Sequence, residues 1–154
     1  MIKALDVNYK HEITLDSDTE PKTVFLVRNL SYSQRTQIIS DYDELIGHYT
    51  SNKMANEAVA KLVPTDLASI KEIDSLKELI RATNDKSYDT AIKLLVKLLV
   101  DVKNVPNSVE HEENEFGKSV SKKWIETNMP HNMIIDLVVK AVNCSFLDDD
   151  KKKQ

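Results

Sequence analysis

The side chains that most often carry chemistry in proteins are few and scattered in this sequence. Four histidines are spread along the chain, at His11, His48, His111 and His131. None belongs to an HExxH motif, in which two histidines four positions apart hold a metal ion on one helix. The densest group of oxygen ligands follows His111, but it lacks the alternating Asp or Asn residues and the central glycine of a calcium loop. We therefore predict no metal site and interpret this group as a solvated acidic segment.

Motifs for nucleophilic catalysis and for phosphate binding are also missing from the sequence. The single cysteine, Cys144, follows an apolar helical pattern and lies in no recognisable catalytic frame, so we predict a buried structural thiol. The only glycines are Gly47 and Gly117, and two isolated glycines cannot form a phosphate-binding loop. The serine elbow of hydrolases is absent as well. We therefore predict that the protein is not an enzyme and that it uses no cofactor.

The charge and hydropathy patterns restrict the partners of the protein. The 154 residues include 25 acidic and 21 basic ones, a net charge of -4, whereas nucleic-acid binders usually carry a basic excess. The longest apolar run, Ile92 to Val102, is too short for a membrane span and is interrupted by two lysines and an aspartate. We therefore expect neither nucleic acid nor a membrane as a partner. One cysteine allows no internal disulfide, which indicates a reducing compartment.

The N-terminal part of the chain has the patterns of β-structure. Residues 10–15 alternate polar and apolar side chains, and residues 23–28 are rich in β-branched and aromatic side chains. Between them, Asp16–Pro21 has the composition of a turn, with side chains that bond locally to the backbone and a proline. These features predict an antiparallel hairpin. Residues 2–7 are a candidate third strand.

Helical patterns follow the predicted hairpin. Ser31 and Gln34 have the spacing of a capping box for a first helix, which we expect to end near Gly47. A second helix is predicted over Lys53–Leu62, and a third follows it. A fourth helix, Ser87–Val102, is apolar over most of its circumference, so we predict that it is the central helix of the core.

The patterns together predict a mainly helical α+β fold, in which an N-terminal β-hairpin packs on a bundle of four to six helices. We expect a single domain over residues 1–147, followed by a charged tail. The predicted parts are a β-hairpin region at 1–30, a helical core at 31–104, an acidic loop at 105–119, C-terminal helices at 120–147 and the tail at 148–154.

The hairpin offers the most favourable surface for binding another protein. An unpaired strand edge presents a row of backbone donors and acceptors that a partner strand can complete. The interaction residues predicted for this edge are Thr23, Phe25, Val27 and Arg28. The acidic turn before them is an alternative feature that would instead blunt the edge. Trp124 is a further candidate, since tryptophan often anchors an interface, although its ring could equally be part of the core.

Each end of the chain carries an ordered series of short sequence features. Near the N-terminus, a short β element and an acidic turn lead to the strand at 23–30, which contains an Arg-Asn-Leu step before a capped helix. The series at the other end consists of Lys103–Val105, a polar loop, Trp124–Ile125, Met129–Pro130, the helical pattern at 134–142 and the acidic, lysine-rich ending Ser145–Lys151. In both places the series resembles small proteins of tailed-bacteriophage structural gene clusters. The middle, residues 50–102, carries no such resemblance.

The resemblance implies a virion structural or assembly protein that docks to other virion proteins near the head–tail junction. Other phage structural proteins are then the expected partners, and a homo-oligomeric ring is compatible with this role. The expected location is the virion, and the host cytoplasm during assembly. One alternative is a tail assembly chaperone that binds the tape-measure protein and is absent from the particle. Another is a cellular protein-interaction adaptor.

Overall fold

The structure, a computed structural model, describes residues 9–16, 18–61 and 67–152, with side chains as far as Cys144. The predicted mainly helical α+β architecture is confirmed. The elements in chain order are β1 (Lys10–Ile13), β2 (Val24–Arg28), α1 (Tyr32–Lys61), α2 (Leu67–Leu98), β3 (Leu99–Lys103), β4 (His111–Asn114), β5 (Gly117–Val120), α3 (Lys122–Asn128) and α4 (His131–Lys152). The candidate strand at residues 2–7 lies outside the described residues.

The predicted N-terminal hairpin is present as the pair β1 and β2. The two strands are antiparallel, and Ile13 lies opposite Phe25. The polar-apolar alternation of β1 translates directly into burial, because alternate side chains point to opposite faces of a strand: His11 and Ile13 are buried, and Lys10 and Glu12 are exposed. Helix α4 packs against β1.

The strand β2 is the central strand of a three-stranded sheet with the order β1-β2-β3. Phe25 pairs with Ile13 on one side and with Val102 on the other, and a register irregularity follows at Leu26 and Val27. Both edges of β2 are therefore occupied by backbone hydrogen bonds. The prediction that residues 23–28 present a free strand edge is wrong, because the third strand comes from a segment about 75 positions away that was interpreted as helix.

That segment is the end of the predicted central helix. The helix ends at Leu98, and residues 99–103 form β3, which pairs antiparallel with β2. Leu99 and Val102 are buried. A short apolar run that is buried on both faces has no alternation, so its periodicity does not distinguish a strand from the last turn of a helix. The pairing with β2 decides the conformation here.

The capping box at the start of α1 is confirmed. The Gln34 backbone N–H donates to Ser31 Oγ over 3.2 Å, and the Ser31 N–H donates to Gln34 Oε1 over 3.0 Å. The helix does not end near Gly47, however, and continues to Lys61 as one element with the predicted second helix. A single glycine costs a helix only about 1 kcal/mol relative to alanine, which is too little to terminate it.

The predicted acidic loop at 105–119 contains a second hairpin. Strands β4 and β5 pair antiparallel, with Asn114 opposite Gly117. The Phe116 N–H donates to Asn114 Oδ1 over 2.8 Å, and Gly117 has a φ of 120°, a backbone region that favours glycine. Glutamate is unfavourable in strands, so the composition of β4 did not indicate a strand. The residues of the turn, in contrast, favour a hairpin.

The chain divides into two compact units where we predicted one domain over 1–147. The mixed unit takes the described residues of Met1–Ile39 and Ala91–Gln154, and the helical unit takes those of Ser40–Thr90. The mixed unit contains all five described strands and nearly all of the buried apolar side chains. Its core includes the fully buried residues Val27, Leu94, Leu95, Leu98, Val120, Ile125, Ile134 and Leu137. Helix α4 continues to Lys152, into the predicted tail.

The helical unit is a pair of helices with a seven-residue repeat. Apart from Tyr42, its less exposed positions on α1 alternate in steps of three and four and are Asp41, Leu45, His48, Asn52, Ala55 and Val59. The matching positions on α2 are Ser69, Ile73, Leu76, Ile80, Thr83 and Ser87. This spacing is that of a coiled-coil seam. Many seam positions are polar, and among the described residues of this unit only Leu45 is a buried hydrophobic side chain.

Candidate functional site

A surface cavity of about 250 Å³ lies in the mixed unit. Three stretches of chain form it: the β1–β2 turn with β2, the segment after β3, and the stretch from α3 to the start of α4. The lining residues are Leu15, Asp18, Thr23, Phe25, Val105, Pro106, Asn107, Trp124, Asn128, Met129 and Met133. We call it the Trp124 cavity.

The floor of the Trp124 cavity is apolar and firmly packed. Leu15, Phe25, Trp124 and Met129 are each at most 7% exposed. Phe25 lies in the central strand, where backbone hydrogen bonds on both sides hold it. Well-packed walls of this kind keep their shape when a ligand enters, which lowers the ordering cost of binding.

Hydrogen bonds from both its backbone and its ring hold Trp124 in position. The backbone N–H of Trp124 donates to the hydroxyl of Ser121, the N-cap of α3, over 3.1 Å. The ring Nε1–H donates to the carbonyl of Ser108 over 2.8 Å. The amide of Asn128 donates to the Trp124 carbonyl over 2.9 Å and accepts from Asn107 Nδ2 over 2.8 Å. These bonds join α3 to the segment after β3 and hold the cavity wall in one position.

Asp18 supplies the only charge among the eleven lining residues. Its carboxylate accepts the backbone N–H of Thr19 at Oδ1 over 2.9 Å and that of Thr23 at Oδ2 over 2.7 Å. Asp18 therefore closes the turn that precedes β2, and this half-buried residue is one of those that line the cavity. The hydroxyl of Thr23 donates to the Asn104 carbonyl over 3.2 Å, which ties the same turn to the end of β3.

The structure brings together three of the five predicted interaction residues. Thr23, Phe25 and Trp124 all line the Trp124 cavity. Trp124 is 5% exposed, so its ring belongs to the core, and the residue also lines the cavity. Its role at an interface stays a prediction. Val27 is fully buried in the sheet and does not reach this surface.

Arg28 has a different role from the one predicted for the strand edge. Its Nε donates to the Lys97 carbonyl over 3.2 Å, and its Nη2 donates to the Lys118 carbonyl over 2.9 Å and to Ser119 Oγ over 2.8 Å. Burial lowers the pKa of the guanidinium, an effect that the charge of Glu113 partly opposes. Arg28 therefore joins β2 to the end of α2 and to β5 and is occupied within the chain.

Sequence reasoning did not single out Asp18, Asn128 or Met133 as site residues. Asp18 was recognised only as part of a turn. No local signal joins it to the others, because Asp18 and Asn128 lie 110 positions apart in the sequence. The one available signal was the position of Asp18 in a turn before a proline and a strand, since aspartate in a turn often bonds to the local backbone and is held in place by it.

Two of the histidines lie beside a carboxylate, His48 beside Glu44 and His111 beside Asp101. His111 Nε2 lies 3.2 Å from Asp101 Oδ1, and this oxygen also accepts the backbone N–H of Val102. In the described parts of the chain, no three His, Cys, Asp or Glu side chains converge as they would around a metal ion. No described helix combines the length and the hydropathy needed to cross a membrane.

Comparison with known proteins identified no relative: no family model matches the chain, and neither a curated protein nor a solved structure matches it.

Proposed function

We propose that the protein is a bacteriophage structural or assembly protein that docks to other virion proteins near the head–tail junction, with the Trp124 cavity as its docking point. One observation carries this proposal. All eleven lining residues fall within the two end regions of the chain whose features resemble those of small phage structural-cluster proteins. The middle of the chain, which lacks that series, contains most of the helical unit and none of the cavity.

The size of the cavity supports a protein partner. Sites for small molecules and cofactors usually enclose about 300–1,000 Å³. At about 250 Å³, the Trp124 cavity instead suits one large side chain presented by another protein. Buried anchors of this kind contribute most of the affinity in many interfaces, and a modest contact per copy suffices where identical contacts repeat around a ring.

The test combines particle analysis with a blocked cavity. Phage that lack the wild-type gene are complemented with Asn107→Trp, which places a ring at an exposed lining position, or with Lys123→Trp, an exposed position of α3 outside the lining. We expect wild-type and Lys123→Trp protein in purified particles at about 6 to 12 copies, as ring symmetry suggests. Asn107→Trp should be absent or strongly reduced. Equal incorporation of both variants would show that the cavity is not the docking point.

A tail assembly chaperone is a second candidate, and the helical unit favours it. The unit exposes large apolar side chains at Ile46, Tyr49, Met54, Leu67, Ile70 and Leu79. It also carries the whole charge excess of the chain, since residues 40–90 contain ten acidic and six basic residues. Exposed apolar helical surface is typical of proteins that cover a partner transiently. Absence from purified particles, together with abundance in infected cells, would support this role over the structural one.

A further inference from the structure

The lining of the Trp124 cavity is mostly apolar and includes a single negative charge. The floor is formed by Phe25, Trp124 and Met129, and the charge belongs to Asp18. Among the described residues, the Asp18 carboxylate forms no ion pair, and its two hydrogen bonds come from neutral backbone N–H groups. A carboxylate has about four acceptor positions, so each oxygen keeps capacity for one more donor.

A ligand that matches both features has an apolar stem and a cationic end with two donors. Arginine meets this description, because its methylene stem packs on apolar surface while its guanidinium presents a planar pair of donors to a carboxylate. Such charged pairs are stronger than neutral hydrogen bonds, and the guanidinium donates to both carboxylate oxygens at the same time. Lysine offers a point charge without the paired donors, and a wholly apolar side chain would leave the half-buried carboxylate without a partner charge.

We infer that the Trp124 cavity accepts an arginine side chain of the partner, with the guanidinium on Asp18 and the stem over Trp124. This inference rests on the proposed docking function and names the chemistry that the partner must present. The other polar lining groups, Thr23, Asn107 and Asn128, are all neutral, so Asp18 is the one charged acceptor of the lining. The guanidinium then finds its acceptors at Asp18.

The test uses two probes of the same shape that differ in charge, N-butylguanidinium and N-butylurea. Trp124 is the only tryptophan of the chain, so its fluorescence reports binding in the full-length protein. We expect N-butylguanidinium to bind in the millimolar range, as suits a fragment of this size, and about tenfold more tightly than N-butylurea. Its affinity should fall with added salt, whereas that of N-butylurea should not.

Two variants and a matched control separate the charge from the fold. Asp18→Asn should weaken N-butylguanidinium about tenfold and leave N-butylurea within about twofold. Asp16→Asn removes an exposed acidic residue of the same turn that does not line the cavity, and it should change neither probe. If Asp18→Asn fails to fold, because it loses the acceptor for the Thr23 N–H, Pro106→Asp replaces it at an exposed lining position. This variant adds a charge to the lining and should tighten N-butylguanidinium about threefold.

The outcomes distinguish this inference from the proposed function. Equal affinity for the two probes, or no response to Pro106→Asp, overturns the arginine inference. The docking role then still stands if Asn107→Trp is excluded from particles. Selective binding of N-butylguanidinium by a protein that particles lack supports the ligand chemistry and rejects the structural role.

Discussion

The indole N–H of Trp124 donates to the carbonyl of Ser108 over 2.8 Å, across 16 positions of the chain. This bond joins α3 to the irregular segment between β3 and β4. Both of these stretches contribute lining residues to the cavity, and the bond holds them together. Trp124 therefore belongs both to the buried core and to the lining of the cavity.

Replacement of Trp124 by phenylalanine should destabilise the mixed unit by about 1–3 kcal/mol. The variant removes the indole donor, leaves the part-buried Ser108 carbonyl without it, and creates a small void. Urea unfolding monitored by circular dichroism measures the change. Thr127→Ala is the control, since it removes an exposed side-chain bond of the same helix and should cost less than about 0.5 kcal/mol. Equal effects of the two variants would show that the indole bond adds nothing.

The two glycines should respond to alanine with opposite signs. Gly117 has a φ of 120°, and a Cβ there would lie 3.0 Å from Arg28 Nη1, so Gly117→Ala should cost about 1–3 kcal/mol. Gly47 lies inside α1 with nothing within 4 Å of an added Cβ, so Gly47→Ala should stabilise the protein by about 0.5–1 kcal/mol. Thermal unfolding of both variants tests the pair. A destabilising Gly47→Ala would contradict the continuous helix α1.

The amide of Asn52 donates to Asn84 Oδ1 between the two long helices of the helical unit. A double-mutant cycle with Asn52→Ala and Asn84→Ala should give a coupling energy of about 0.5–1.5 kcal/mol. Asn52 is a seam position, and the exposed Asn84 lies next to the seam position Thr83. Polar contacts at a seam help to set the register of the helices, so the double variant should also broaden the amide resonances of this unit. The control cycle pairs Asn52→Ala with Ser75→Ala, an exposed position of α2, and should be additive. Coupling of the same size in both cycles would refute the contact.

Alkaline pH should weaken the helical unit partly through Tyr42. Burial raises the pKa of this phenol above its ordinary value of 10.0, and the charge of Asp43 adds to the shift. The unfolded chain ionises at the ordinary pKa, so the contribution is fully present below pH 10 and is lost as the pH rises through the raised pKa.

Tyr42→Phe should therefore make the decline of stability above pH 10 shallower in urea titrations. Asp43→Asn should do so to a smaller degree, because burial is the larger cause. An unchanged slope in both variants would show that Tyr42 ionises alike in the folded and the unfolded chain.

Local patterns in the sequence predicted the elements whose conformation depends on near neighbours. The alternation at 10–13 and the β-branched run at 24–28 predicted the first hairpin, and Ser31 with Gln34 predicted the start of α1. Each of these signals acts over a few residues, through side-chain direction in a strand or through a capping bond. Chain continuity was harder to predict, since Gly47 suggested an end that the seven-residue repeat overrides.

The sequence by itself determined the α+β class, the first hairpin and the capped start of α1, because propensity, alternation and capping are local. Only the tertiary structure decided that residues 99–103 are a strand, since pairing with β2 supplies the hydrogen bonds that a further helical turn would have supplied. It also decided the site. Asp18, Phe25 and Trp124 meet through sheet pairing and helix packing, whose long-range contacts leave no periodic trace in the chain.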